Sequence, residues 1–338
     1  MRFENVSIVG LGYVDAPRYL PSEEIESQLA ESIKRFDMNP RLIRDLSGIM
    51  GRRLWDDDTE VTDMAVQAAE LALEDAGVDK EQVGLMINTS VTRNYVEPSV
   101  ASLVHGDLGL PAHCLNFDVA NACLGFVNGM QLAGNMIERG QIDYALVVNA
   151  ESSNEIIENT IRRLTSPEVT EQEFRENFAS LTLGSGAVAM VLANAEREAN
   201  GHRVVGDFSQ ADTKHNRLCL GNMDKMVTDA SNLLKAGIAL VARTWPQFLE
   251  EVDWSPDSVD LFAVHQVSAP HTNKMAELIG IDKSKIYKIF TDYGNMGPVG
   301  IPVVLAKARE EGRLNQGDRV ALFGVGSGLN CTMMAVEW

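Results

Sequence analysis

Cysteine is scarce in this chain. Only Cys114, Cys123, Cys219 and Cys331 occur, and none forms a CxxC pair or sits in a histidine cluster. That excludes a secreted disulfide framework and a zinc site built from such pairs, so no metal is expected. Long apolar runs are missing as well. No stretch approaches the roughly 18 uninterrupted apolar residues of a membrane-spanning helix. The opening MRFENVSIVG has neither the charged n-region nor the apolar h-region of a secretory signal, so a cytoplasmic location is expected. Basic residues are outnumbered, 29 Lys and Arg against 48 Asp and Glu, for a formal net charge of −19. Such a surface repels polyanions and excludes general affinity for nucleic acid or anionic membrane; a phosphate-bearing ligand would need a locally basic site. What remains is ordinary for a globular enzyme: 338 residues, 45% of them hydrophobic, enough to bury a core without staples.

The apolar pattern alternates between strand and helix. Val6–Val9 reads as a short strand. From Val61 to Ala76, small and apolar residues recur at helical spacing, with Gly77 as the stop. Gly84–Asn88, Leu115–Val119 and Tyr144–Val148 read as strands, the last apolar throughout as in a sheet covered on both faces. Between the second and third of these, NACLGFVNGMQLAGNMIERG reads as a small-residue helix ending at Gly140. This alternation predicts an α/β protein with helix-covered sheets.

The second half repeats the first. VTDMAVQAAELALEDAGVDKEQVGLMINTS has a counterpart in VTDASNLLKAGIALVARTWPQFLEEVDWSPDSVDLFAVHQVS. FDVANACLGF, a helix and ERGQIDYALVV are answered by FTDYGNMGPVG, a helix and EEGRLNQGDRVALFGVG. Two matching blocks in one order imply an internal duplication, with halves at about 1–195 and 196–338. It sets Cys123 and Asn295 at corresponding strand-to-helix turns near a pseudo-twofold axis. Residues 152–182, charged and mostly helical, have no counterpart; they read as a channel wall or lid, or as surface decoration.

Four places in this frame carry chemistry. Cys123 lies between a predicted strand and a predicted helix, where backbone N–H groups and the helix dipole favour a thiolate, lowering the pKa from about 8.5 toward ~3.5–7.5. Outside that context a cysteine is a small buried hydrophobe, which is how the other three read. His265 ends the strand LFAVHQVS at the carboxyl edge of a sheet, where open α/β folds place their sites. Asn295 lies between glycines in GNMGPVGIP, a setting equally suited to simple turn chemistry. Together they offer a nucleophile with two hydrogen-bond donors. Gly326, Ser327 and Gly328 in GVGSGLN form a loop able to aim N–H groups at an oxyanion; the glycine spacing does not fit a dinucleotide fingerprint.

NACLGFVNG, VHQVS, YGNMGP and FGVGSGLN resemble the Cys–His–Asn set of the thiolase superfamily, on its ketoacyl-ACP synthase III branch, over essentially the whole chain. More narrowly, GRRLWDDD, NTSVTRNYVEPSVAS, FDVANACLGFVNGM, ERGQIDYALVV, LTSPEVTEQEF and YGNMGP resemble the long-chain acyl-CoA condensing enzymes of head-to-head hydrocarbon synthesis. The resemblance implies a thiolase fold, a duplicated five-layer αβαβα architecture with two mixed sheets. It implies an acyl group loaded on Cys123, a first oxyanion hole from the Cys123 N–H and the Gly326–Gly328 loop, and an enolate held by His265 and Asn295. Glu97 in YVEPS would be the base that removes an α-proton, reaching from a homodimer interface into the partner's site and tuned by an apolar pocket; otherwise it is a solvated loop carboxylate. No permanently bound cofactor is implied; coenzyme A thioesters are the substrates, and downstream hydrocarbon-pathway enzymes are possible partners. Arg52, Arg53 and Trp55 would grip the CoA nucleotide, with Arg217 and Lys214 as further basic candidates. Phe126 and Met130, with Met136 beyond, would line an acyl channel or else fill the core.

Three functions compete. One is Claisen condensation of two fatty acyl-CoA molecules to a 2-alkyl-3-oxoacyl product, without decarboxylation. A second is decarboxylative 3-oxoacyl-ACP synthesis from malonyl-ACP, which needs no base at Glu97. The third is a silent acyl-binding scaffold, which would not need Cys123, His265 and Asn295 together. Thiolase proper requires a second cysteine, and the LNCTMM setting of Cys331 does not resemble its motif.

Overall fold

The structure, a computed structural model, describes residues 1–338 except 199 and 223. Nine strands form the central framework: β1 (Val6–Asp15), β2 (Val83–Asn88), β3 (Leu115–Asp118), β4 (Tyr144–Glu151), β5 (Gly186–Asn194), β6 (His202–Ala211), β7 (Leu261–Val264), β8 (Arg319–Gly326) and β9 (Asn330–Glu337). In the first half their order is β1-β5-β4-β2-β3, with β1/β5 and β5/β4 antiparallel and β4/β2 and β2/β3 parallel. The second half runs β6-β9-β8-β7 with the same senses, and a parallel bridge from Phe262 to Ile286 stands where the fifth strand would be. The duplication expected from the paired sequence blocks is therefore present strand by strand. The two mixed sheets meet edge to edge through Ser7↔Arg203 and Ile8↔His202, so hydrogen bonding runs unbroken across all nine strands.

Six helices make the remaining layers: α1 (Val61–Ala76), α2 (Val100–Leu108), α3 (Gly125–Glu138), α4 (Ala230–Val252), α5 (Ala269–Ile279) and α6 (Gly300–Glu310). Strand β4 shows why its sequence is apolar throughout. Ala145 and Val147 face the central core shared with Phe126, Val303 and Leu305, while Leu146 and Val148 face the outer core of Ala65, Ala68 and Val104. In β8, Val320 and Leu322 face the centre, and Ala321 and Phe323 face Leu240, Phe248 and Met275. The layers are thus α1/α2, sheet, α3/α6, sheet, α4/α5. Small residues let α1 lie flush on β1: a Cβ at Gly10 would stand 2.2 Å from the Ala72 carbonyl oxygen. Apart from these layers, helices within 22–47 and within 154–177 share a fourth core of Ile25, Leu29, Ile43, Ile157, Leu164 and Phe174.

Candidate active site

The chain leaves β3 at Asp118 and turns through Asn121–Leu124 before α3 begins at Gly125. Cys123 occupies this turn, half-buried, behind Ala122 at φ +45°, a left-handed value uncommon for a residue with a side chain. Gly125 and Gly129 bring the helix onto the sheet, since Cβ atoms there would lie 2.8 Å from the Thr89 oxygen and the Thr89 methyl. Burial pushes the Cys123 thiol up to about 12, and the neighbouring charges of Cys219 and Glu151 push the same way; its own backbone N–H works against them and is outweighed. This corrects the expectation of a lowered pKa. The helix N-terminus is where the sequence predicts it, but desolvation is the larger effect.

His265 follows β7 directly and donates its backbone N–H to the Phe323 carbonyl at 2.7 Å. Its ring is 4% exposed, and neither ring nitrogen has a partner among the described residues. Burial, and secondarily the nearby His271, lower its pKa to about 3, so the ring is neutral: one N–H donor and one lone pair. Asn295 is fixed from three sides. Its N–H donates to Thr182 O at 2.8 Å, its carbonyl accepts from Gly184 N at 2.9 Å, and its Oδ1 accepts from Gly297 N at 3.0 Å. With Oδ1 so engaged, Nδ2 is left as the donor. Thr182 closes the segment without a counterpart in the second half, and Gly184 follows it, so the end of that segment is bonded to Asn295.

Glycines of β8 draw these pieces together. A Cβ at Gly324 would meet Leu124 at 2.8 Å and His265 at 3.5 Å; one at Gly326 would lie 3.5 Å from the Cys123 backbone nitrogen. Ser327, Gly328 and Leu329 form the β8–β9 hairpin turn, with Gly328 at φ +143°. Asn330 Nδ2 donates to Asn121 Oδ1 at 3.1 Å, tying this hairpin to the Cys123 turn. The arrangement can hold an acyl thioester at Cys123 with N–H donors beside it, and a neutral imidazole and an amide donor for a second carbonyl.

Other expected residues lie elsewhere. Arg52 is fully buried and donates to the Leu20 and Leu181 carbonyls at 3.2 and 2.7 Å. Trp55 is 2% exposed, its Nε1 donating to Glu151 O at 2.9 Å, and Arg53 is half-buried over the Tyr293 ring. Arg52 and Trp55 are buried and bonded to backbone carbonyls, so neither faces solvent as a nucleotide grip would, while Arg53 keeps part of its surface exposed. Phe126 and Met130 are central-core side chains at 0% and 1% exposure, in keeping with the core-filling alternative to a channel. Arg217 and Lys214 are exposed. Glu97 is exposed on the segment before α2 and forms no hydrogen bond among the described residues, so a single chain does not supply the apolar pocket expected around it. Three neighbours of the site escaped sequence reasoning: Asn330, Cys219 and Glu151, the buried last residue of β4.

Among known proteins, residues 117–212 match the family 3-oxoacyl-acyl-carrier-protein (ACP) synthase III, and 249–338 match its C-terminal region. An acyl-CoA:acyl-CoA alkyltransferase of Xanthomonas campestris is 50% identical over 338 residues, covering 100% of both chains. One of Shewanella oneidensis is 34% identical, again over 100% of both. The crystal structure of cerulenin-bound Xanthomonas campestris OleA superposes with a TM-score of 0.98 at 50% identity, covering 100% of this chain and 98% of that one. A cysteine-to-serine variant of that protein with bound lauric acid and lauroyl-CoA gives 0.97 at 49% identity, covering 99% and 100%. The chain belongs to the ACP synthase III family of thiolase-fold acyltransferases, together with the acyl-CoA:acyl-CoA alkyltransferases.

Proposed function

We propose that this protein joins two long-chain fatty acyl-CoA molecules head to head, giving a 2-alkyl-3-oxoacyl product for long-chain hydrocarbon (olefin) biosynthesis. The observation that carries the reading is a half-buried thiol beside N–H donors, next to a buried imidazole with both nitrogens unpartnered and an amide whose oxygen is already engaged. Cys123 Sγ attacks the first thioester carbonyl while the lone pair of the neutral His265 ring accepts a hydrogen bond from the thiol, whose proton passes to the departing CoA sulfur. The Cys123 N–H and the Gly326–Gly328 loop stabilise the tetrahedral oxyanion. The carbonyl oxygen of a second acyl-CoA then accepts from His265 and Asn295 Nδ2, and Glu97 of the partner subunit removes its α-proton. The enolate carbon attacks the acyl carbon, the Cys123 sulfur leaves, and the proton that Glu97 removed restores the thiol.

A cysteine, a glutamate and a histidine varied in the Xanthomonas relative are spaced along its chain as Cys123, Glu97 and His265 are here, which supports these roles. A homodimer suits the edge of the sheet. Strand β3 exposes Leu115 and Phe117, and Val96 beside Glu97 is 95% exposed, an apolar surface that a second copy covers. Arg217 and Lys214 are the basic residues left for the CoA phosphates. The halves, about 1–195 and 196–338, remain part of this reading, and the protein acts in the cytoplasm. Intact-mass analysis of Glu97→Gln given acyl-CoA tests the scheme: acyl-Cys123 is expected to accumulate without coupled product. Normal yields of condensed product from that variant would remove Glu97 from the mechanism.

A further inference from the structure

Glu97 stands on a stretch with little to hold it. Among the described residues, 94–98 form no hydrogen bond at all, so the position of Glu97 is set by the two feet of the loop. The far foot is Asp118. Its carboxylate accepts from Val100 N at 3.1 Å and Ala101 N at 2.8 Å, and lies 3.9 Å from Arg93. The near foot is Glu151, 5% exposed. Its Oε1 accepts from Val91 N at 2.7 Å, and its Oε2 accepts from Thr92 N at 3.0 Å and Thr92 Oγ1 at 2.7 Å. Asp118 caps a helix, a common structural duty. Glu151 has no such duty: both oxygens serve only the loop, at the cost of a carboxylate buried beside Cys123.

We infer that Glu151 is a positioning residue for condensation, acting through the 91–98 loop to set where Glu97 enters the partner's site. The inference rests on the proposed role of Glu97. Three converging donors fix two consecutive residues, and the chain from Thr92 to Glu97 is short enough to carry that constraint to the base. Burial raises the Glu151 carboxyl to about 7, with its three donors and Arg93 opposing, so the clamp is held against a desolvation cost. The Glu151 carboxylate makes no hydrogen bond to the Cys123 turn, so removing it leaves the acylating groups in place. Loss of the clamp is therefore read in the second half-reaction alone.

Replacing Glu151 by Gln keeps the shape but points an NH2 at one of the two backbone N–H groups. Acylation of Cys123 from acyl-CoA, followed by intact mass, is expected at the wild-type rate or faster. Condensed product is expected to fall by roughly ten- to a hundredfold, the scale of an ångström-sized misplacement. If Glu151→Gln fails to fold, Thr92→Val, which removes one of the three donors, takes the same comparison. The inference is overturned by wild-type condensation in the folded variant or by a parallel loss of acylation. Failure of the underlying reading looks different: Glu97→Gln itself would condense normally.

Discussion

Replacing Gly326 by Ala is the sharpest local test of the first oxyanion hole. The added methyl would lie 3.2 Å from Leu124 Cγ, 3.3 Å from Asn121 O and 3.5 Å from the Cys123 nitrogen. The first two contacts are tight by a few tenths of an ångström, an overpacking that costs about 1–3 kcal/mol and leaves the protein folded. The third is the functional one in the proposed scheme, since the methyl crowds the nitrogen whose N–H is proposed to donate to the developing oxyanion. Losing one such donor typically lowers the rate ~10²–10³-fold, about 2.7–4 kcal/mol of transition-state stabilisation. Single-turnover acylation, followed by intact mass against time, reads this without interference from condensation. Wild-type acylation in a folded Gly326→Ala would refute the argument that this N–H faces the reacting carbonyl. Gly77→Ala is the control: it sits at φ +63° with open space around it, so it carries backbone strain and no effect on acylation.

Burial lowers the His265 pKa to about 3, so the ring stays neutral and keeps its lone pair as pH falls, and acylation should change little between pH 7.5 and 5.5. An imidazole at the usual 6.5 would be mostly protonated at pH 5.5 and would slow it about tenfold, which a pH–rate profile of single-turnover acylation would expose. The Cys123 thiol, raised to about 12, should show alkylation by iodoacetamide climbing steadily to pH 10; a plateau near pH 7 would mean a stabilised thiolate instead. Arg52→Ala empties a fully buried site and orphans the Leu20 and Leu181 carbonyls, so it should lose roughly 2–4 kcal/mol in denaturant titration, with the KM for acyl-CoA unchanged in whatever remains folded. Arg217→Ala should do the reverse, raising KM and leaving stability alone.

The parts of the fold that are legible from sequence are those dictated by neighbours in the chain. Periodicity placed α1 at Val61–Ala76, ended by Gly77 in the left-handed conformation, and the apolar run at β4 marked a strand covered on both faces. The Cys123 turn and the Asn295 turn were legible because the duplication repeats them. What escaped depends on distant partners. The GRRLW motif reads as a basic surface grip, yet the Arg52 guanidinium is buried and donates to carbonyls 32 and 129 residues away. Glu151 is unremarkable in sequence, because its partners lie 59 and 60 residues upstream. The Cys123 pKa was misjudged for the same reason: a helix N-terminus is a local feature, whereas desolvation is supplied by the whole surrounding fold.

The central claim is condensation of two acyl-CoA molecules without malonate. Purified protein given one long-chain acyl-CoA alone, with products examined by mass spectrometry and Cys123→Ala as the control, tests it directly. The account predicts a coupled 3-oxo product, or the ketone formed from it by decarboxylation, absent in the control. Acylated Cys123 with no coupled product until a malonyl thioester is added would contradict it and leave a decarboxylating synthase in its place.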